Sequence, residues 1–203
     1  MLSFQMDPGQ GPTPRPAIFL LHGYMSDEQD LYGLGQEFVG NRVLVSIRAP
    51  HIMSQGFSWY QFKEGLTPDL PSVLNSLDLI AEVVDHVSSI VDIDRSKSIM
   101  GGFSQGGVMT AMWACRTRVV WGGAMILSGY LVPESCIDGM RMETRVFWGH
   151  GQEDPVVPYR LAEAGIKQLE DQGASVTFRS YPMGHTVSAT EVHDIRTWLE
   201  MGP

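Results

Sequence analysis

Residues 98–117 read SIMGGFSQGGVMTAMWACRT, and the fold turns on how this stretch is parsed. Ser98 to Phe103 is a short apolar run without alternation, as expected of a strand covered on both faces. From Gln105 onward Val108, Met112 and Cys115 recur at helical spacing. Between the two lies Gly102-Phe103-Ser104-Gln105-Gly106, a G-x-S-x-G turn. A turn this tight lifts a serine hydroxyl above the end of the sheet, and small residues on both flanks let strand and helix approach closely. The bare pattern is common by chance. The strand before it and the helix after it are the context that gives Ser104 a chemical reading.

The same alternation continues outward. Apolar runs that read as strands occupy Ala17 to His22, Arg42 to Arg48, Gly122 to Leu127, Arg145 to His150 and Ser175 to Tyr181, and helical periodicities separate them. Val73, Leu77, Ile80, Val84, Val87 and Val91 fall on one face of a long helix. Ser26 with Gln29, and Ser188 with Glu191, have the spacing of capping boxes, and Gly173 is placed to stop a helix that begins near Pro158. The pattern predicts an α/β fold with a mostly parallel central sheet, helices on both faces and no cap domain. Residues 17–203 read as one domain, and 1–16, MLSFQMDPGQGPTPRP, as a flexible leader. Two aperiodic stretches, Pro50 to Pro71 and Ser128 to Glu143, are long for a compact domain and point to function.

Composition excludes several classes. With 43% apolar residues the chain belongs with ordinary globular proteins. A net charge of −9 without a basic run argues against nucleic acid or anionic membrane as a partner. No apolar run approaches the roughly 20 residues of a membrane span, and the N-terminus lacks the pattern of a secretory signal, so the cytoplasm is the default location. The two cysteines, Cys115 and Cys136, read as free buried thiols. No His or carboxylate set has metal-ligand spacing, and neither metal nor cofactor is expected. A homodimer is compatible with the sequence.

A serine hydroxyl attacks well only when a base takes its proton, and the base needs an orienting acid. In sheets carrying this turn the chain order is Ser, then Asp or Glu, then His, each beyond the carboxyl end of a strand. After Ser104 the histidines are His150, His185 and His193. His193 lies inside the last helix, and His150 leaves no room for an acid before it. His185, in a loop just after the Ser175 to Tyr181 run, is the base. The acid is Asp154 or Glu153, both in the segment after the strand at 145–150, and Pro155 stiffens the turn in favour of Asp154. A developing oxyanion needs two backbone N–H groups. Gln105, next after the nucleophile, supplies one, and Tyr24, after the strand ending at His22, is best placed to supply the other. The aromatics of Pro50 to Pro71 either plug the domain's own core or line an apolar groove beside Ser104, with Phe57 and Trp59 facing Tyr130 and Leu131. A groove floored by Trp59 and narrowed by Tyr24 would favour short to medium acyl chains.

Together Leu21-His22-Gly23, Arg48-Ala49-Pro50, Trp59-Tyr60, GGFSQGG at 101–107, the segment from His150-Gly151 to Pro158, and Gly184-His185 resemble the phospholipase/carboxylesterase family of α/β-hydrolases. The resemblance runs in order over residues 17–201. It implies a serine hydrolase of carboxylic esters, or thioesters, that works through an acyl-enzyme on a small-molecule substrate. Ser104, Asp154 and His185 would be its triad, and Tyr24 and Gln105 its oxyanion hole. One departure stands out: the family often has HGxG, and this chain carries Met25 at the second glycine, so a different loop backbone is expected there. The alternatives to an esterase are a silent binding protein and a peptidase on the same fold.

Overall fold

The computed structural model describes residues 1–116, 121–132 and 144–202. In chain order the strands begin with β1 (Phe4–Asp7), β2 (Ala17–Leu21) and β3 (Val43–Ile47). Two short antiparallel pairs follow, β4 (His51–Ile52) with β5 (Phe57–Ser58) and β6 (Phe62–Glu64) with β7 (Thr67–Pro68). The remaining strands are β8 (Ile99–Phe103), β9 (Gly123–Leu127), β10 (Arg145–Gly151) and β11 (Ser175–Tyr181). The helices are α1 (Asp30–Gln36), α2 (Leu70–Ile90), α3 (Gln105–Arg116), α4 (Tyr159–Asp171) and α5 (Ala189–Glu200).

Seven strands form one sheet in the order β1-β3-β2-β8-β9-β10-β11. Every pairing from β3 to β11 is parallel. Burial on both faces explains why β2, β3, β8, β9 and β10 read as near-continuous apolar runs, whereas the edge strand β11 is mostly half-buried or exposed. Along β2, Phe19 and Leu21 join the core beneath α2, whereas Ile18 and Leu20 join the core with Leu31 of α1 and Ile195, Trp198 and Leu199 of α5. Val146 and Trp148 of β10 pack with Ala162, Ile166 and Leu169 of α4. Helices α2, α3 and α4 therefore cover one face, and α1 and α5 the other. The long helix is as the periodicity predicts: Val73, Leu77, Ile80, Val84 and Val87 are buried, and Val91 is its C-cap. Gly173 ends α4 with φ of 85°. Among the described residues no helix is long and apolar enough to cross a membrane.

Three expectations fail here for physical reasons. The stretch 1–16 is not simply a loose leader, because Phe4–Asp7 pairs antiparallel with β3 and adds an edge strand to the sheet. Ser26 does not cap α1: the helix starts at Asp30 without a side-chain cap, and the Asp27 carboxylate takes the Gln29 N–H in a local turn at 2.9 Å. Cys115 is disulfide-bonded rather than a free thiol, since sequence separation says nothing about approach in space. Cys136 lies outside the described residues, as does most of the second aperiodic stretch.

Candidate active site

The turn between β8 and α3 shows why its residue types are needed. Ser104 has φ of 54°, a left-handed conformation unusual for a residue with a side chain. Its N–H donates to the Leu127 carbonyl at 2.9 Å, which ties the turn to the end of β9. A Cβ at Gly102 would run into the Gly106 carbonyl, and one at Gly106 would run into the Leu21 carbonyl. Both glycines are therefore required by close packing of α3 over β8 and β2. The serine is left at the carboxyl edge of the sheet, beside the start of α3. There the unpaired N–H groups and the positive end of the helix dipole favour negative charge.

His185 and Asp154 arrive at the same point from two other strand ends. Beyond β11, the His185 ring places Nε2 2.8 Å from Ser104 Oγ and Nδ1 2.7 Å from Asp154 Oδ2. The Asp154 side chain is fully buried, and that of His185 is 15% exposed. Asp154 Oδ1 accepts the N–H groups of Val156 and Val157 at 2.8 and 2.9 Å, a turn that Pro155 stiffens. With that oxygen satisfied, Oδ2 is aimed at the imidazole. Nδ1 then holds the proton, and Nε2 is bare to accept from the serine hydroxyl. Glu153 lies on the exposed side of the same turn. His150 also lies close, with Nε2 3.6 Å from Asp154 Oδ2, but it donates to the Val157 carbonyl at 2.9 Å instead. Burial pushes its pKa below the ordinary histidine value, so it stays neutral near pH 7.

The loop after β2 is fixed by His22, a residue that sequence reasoning used only as a landmark. Its Nδ1–H donates to the Gly23 carbonyl at 2.7 Å, its Nε2 accepts the Ala49 N–H at 3.1 Å, and burial lowers its pKa. The Gly23 carbonyl and the Tyr24 N–H belong to one planar trans peptide. Holding that carbonyl toward His22 turns the Tyr24 N–H to the opposite side. Gly23 itself packs on Ser104: a Cβ there would lie 3.6 Å from Ser104 Cβ. Met25, at the position where the family often has glycine, takes a left-handed φ of 61°. The Met25 N–H to the Phe57 carbonyl at 2.9 Å and the Phe57 N–H to the Ser26 carbonyl at 2.8 Å hold the path in place.

Several residues act differently from expectation. Gln105 ties down the neighbouring loop with its side chain: Oε1 accepts the Trp59 N–H at 2.8 Å, and Nε2 donates to the Tyr60 carbonyl at 2.9 Å. Trp59 does not floor an open groove. It is fully buried, its Nε1–H donates to the His22 carbonyl at 2.8 Å, and its ring lies 5.3 Å from the His22 ring. An aperiodic aromatic loop announces burial without saying in which direction, and here Trp59 props the loop that carries Tyr24. Tyr130 and Leu131 are likewise nearly buried, with the Tyr130 hydroxyl donating to the Leu66 carbonyl. Phe57 is half-buried under the Arg48 guanidinium, 4.6 Å from its ring centre. The open cavity beside Tyr24, about 560 Å³, is instead lined by Tyr24, Pro50, Ile52, Met53, Tyr60 and Phe62, together with His51, Ser58 and Gln61. Among the described residues no group of three His, Cys, Asp or Glu is placed to hold a metal ion.

This geometry has close parallels. The profile of the Phospholipase/Carboxylesterase family matches residues 10–202. The chain belongs to that family. Among curated relatives, the mouse Lysophospholipase-like protein 1 is 30% identical over 154 residues, which cover 70% of this chain and 62% of that protein. Acyl-protein thioesterase 1 of Cryptococcus neoformans is 31% identical over 61% of this chain and 60% of its own length. The chain thus matches about three fifths of the length of these two relatives. The carboxylesterase from Mesorhizobium loti superposes with a TM-score of 0.89 at 20% identity, covering 97% of this chain and 93% of that one. The fold is the α/β-hydrolase fold of the phospholipase/carboxylesterase family.

Proposed function

We propose that this chain is a serine hydrolase of carboxylic esters, with thioesters accessible to the same machinery. The observation that carries the reading is the continuous relay from Ser104 Oγ through His185 to Asp154, at 2.8 and 2.7 Å. Ser104 Oγ bonds to the acyl carbon while His185 Nε2 takes its proton, and the N–H groups of Gln105 and Tyr24 receive the oxyanion. Collapse of the tetrahedral intermediate breaks the bond to the departing oxygen or sulfur, which takes the proton from His185. Water, activated by His185 in turn, releases the acid and restores Ser104. Asp154 keeps the ring in the required tautomer and stabilises it while charged. An assembled relay weighs against a silent binding fold.

Residues 17–203 form the catalytic domain in this reading, with Phe4–Asp7 adding to its sheet. The cavity beside Tyr24 takes short to medium acyl chains, each buried CH₂ contributing about 0.8 kcal/mol until the cavity is filled. Nucleic acid is not a partner, and a homodimer is left to sedimentation analysis. Cytoplasmic residence belongs to the same proposal and carries a condition. Cytosolic thiol systems would keep Cys115 reduced. Because the residue is buried, alkylation is done in denaturant at lysis, where it should label Cys115; a Cys115 that labels only after reduction places the protein in an oxidising compartment.

The test of function is a panel of p-nitrophenyl esters and acyl thioesters of increasing chain length, with peptide anilides beside them. The proposal expects turnover of short and medium esters that Ser104→Ala removes. Turnover of anilides alone would make the chain a peptidase. Failure on every substrate by a folded protein would favour the binding fold.

A further inference from the structure

A second cavity, of about 290 Å³, is lined by Asp30, Leu31, Leu34, Phe103, His185, Thr186 and Val187. The chemistry of the relay assigns it a role. His185 must hand its proton to the departing group, so that group has to sit on the His185 side of the nucleophile. The cavity beside Tyr24 includes neither His185 nor Ser104 in its lining, but it does include Tyr24, whose N–H is one of the two proposed oxyanion donors. It suits the acyl chain, and the smaller cavity suits the leaving group.

Leu31, Leu34, Phe103 and Val187 give the smaller cavity its apolar wall, and the larger part of its lining surface is polar, with the carboxylate of Asp30, His185 and Thr186 among the groups it presents. Asp30 is exposed at the start of α1, and among the described residues no Lys or Arg pairs with it. Neither cavity is lined by a Lys or Arg among the described residues. The nearby Arg48 guanidinium is engaged by Glu28, with Nη2 2.5 Å from Oε1. Phe103, whose ring lies 4.8 Å from that of His185, adds an aromatic wall, the kind of surface on which an ammonium group packs well. A chain of net charge −9 adds a field of the same sign.

We propose that Asp30 is a specificity-determining residue for the leaving group, selecting esters of cationic or neutral alcohols over anionic ones. The inference rests on Ser104 and His185 being the hydrolytic pair. A departing group rich in phosphate or carboxylate would meet an uncompensated carboxylate at the point where it must leave. An amino alcohol or a quaternary ammonium alcohol would meet a counter-charge and an aromatic face.

The experiment compares three butyrate esters on the full chain: those of choline, of its neutral isostere 3,3-dimethylbutanol, and of 3-hydroxypropane-1-sulfonate. The neutral ester is the internal reference for each protein, so intrinsic reactivity cancels when ratios are compared between variants. In Asp30→Asn the ratio of kcat/KM for the choline ester to the reference should fall about three- to tenfold, and that for the sulfonate should rise by a similar factor. Asp30→Lys should carry both changes further in the same directions. Raising salt to about 0.5 M should shrink the differences. Ratios that are the same in all three proteins would overturn the role of Asp30. An unsubstituted chain that turns over none of the three esters would overturn the hydrolase reading itself, which keeps the two failures distinct.

Discussion

Glu191 offers a perturbation whose size follows from its surroundings. It lies in the first turn of α5, is fully buried, and neither of its carboxyl oxygens has a hydrogen-bond partner. Its Oε1 presses on Gly149, where any Cβ would collide with it. Desolvation by this burial is the main cause that pushes its pKa from 4.5 to about 8, and the nearby Asp194 adds to the rise. The folded chain therefore holds the Glu191 proton more tightly than the unfolded chain does. Below about pH 4.5 both states are protonated and the group has no effect. Between there and pH 8 the unfolded state has released the proton and the folded state has not, so stability falls as pH rises, by about 1.4 kcal/mol per pH unit. By pH 7 the accumulated loss is about 3 kcal/mol. Glu191→Gln keeps the shape and removes the titration. Urea unfolding followed by tryptophan fluorescence should show the two proteins within about 1 kcal/mol of each other at pH 5. At pH 7 the variant's midpoint should lie about 1.5 M higher. A gap that stays constant across this range, or a wild-type chain that gains on the variant as pH rises, would refute the reasoning.

Other outcomes follow from the site. Asp154→Asn should lower kcat on a simple ester about 10⁴-fold by loss of the imidazole tautomer, whereas Glu153→Gln should change it less than about twofold; the reverse pattern would move the acid to Glu153. Trp59→Ala should cost about 3–5 kcal/mol in chemical denaturation, as for any large buried aromatic, and should leave the preferred acyl length where it was. A change in preferred length without loss of stability would return Trp59 to the substrate groove. Ser104→Gly should abolish turnover yet raise stability by about 1 kcal/mol, because glycine relieves the left-handed strain at this position; a less stable variant would mean that the turn holds no such strain.

Much of this structure is legible in the amino-acid sequence because it rests on local patterns with a single physical meaning. Strands buried on both faces must be apolar throughout, so β2, β3, β8, β9 and β10 are found within a residue or two, whereas β11, an edge strand whose residues are mostly half-buried or exposed, is found from its β-branched and aromatic residues. The GGFSQGG turn is equally legible, since no other residue types fit where Gly102 and Gly106 touch backbone. Chain order then leads to Asp154 and His185. What escapes depends on direction or on distant partners. Phe4–Asp7 is only four half-buried residues beside a Pro/Gly-rich segment, and its identity as a strand comes from β3. Trp59 and Tyr60 announce burial, but only the His22 carbonyl and the Gln105 side chain say where. Ser188 caps α5 as its spacing predicts, yet Glu191 turns inward rather than completing the box. Asp30 carries no signal in sequence, because its interest lies in sharing a cavity with a histidine 155 positions away.

The central claim is that Ser104 is a nucleophile made reactive by His185 and Asp154. Its most direct test is intact-protein and peptide mass spectrometry after brief exposure to a fluorophosphonate, on the unsubstituted chain and on His185→Ala. The account predicts one adduct per chain, located on Ser104, and almost none in the His185 variant despite an intact fold. An adduct on another residue, or equal labelling of Ser104 with and without His185, would contradict it.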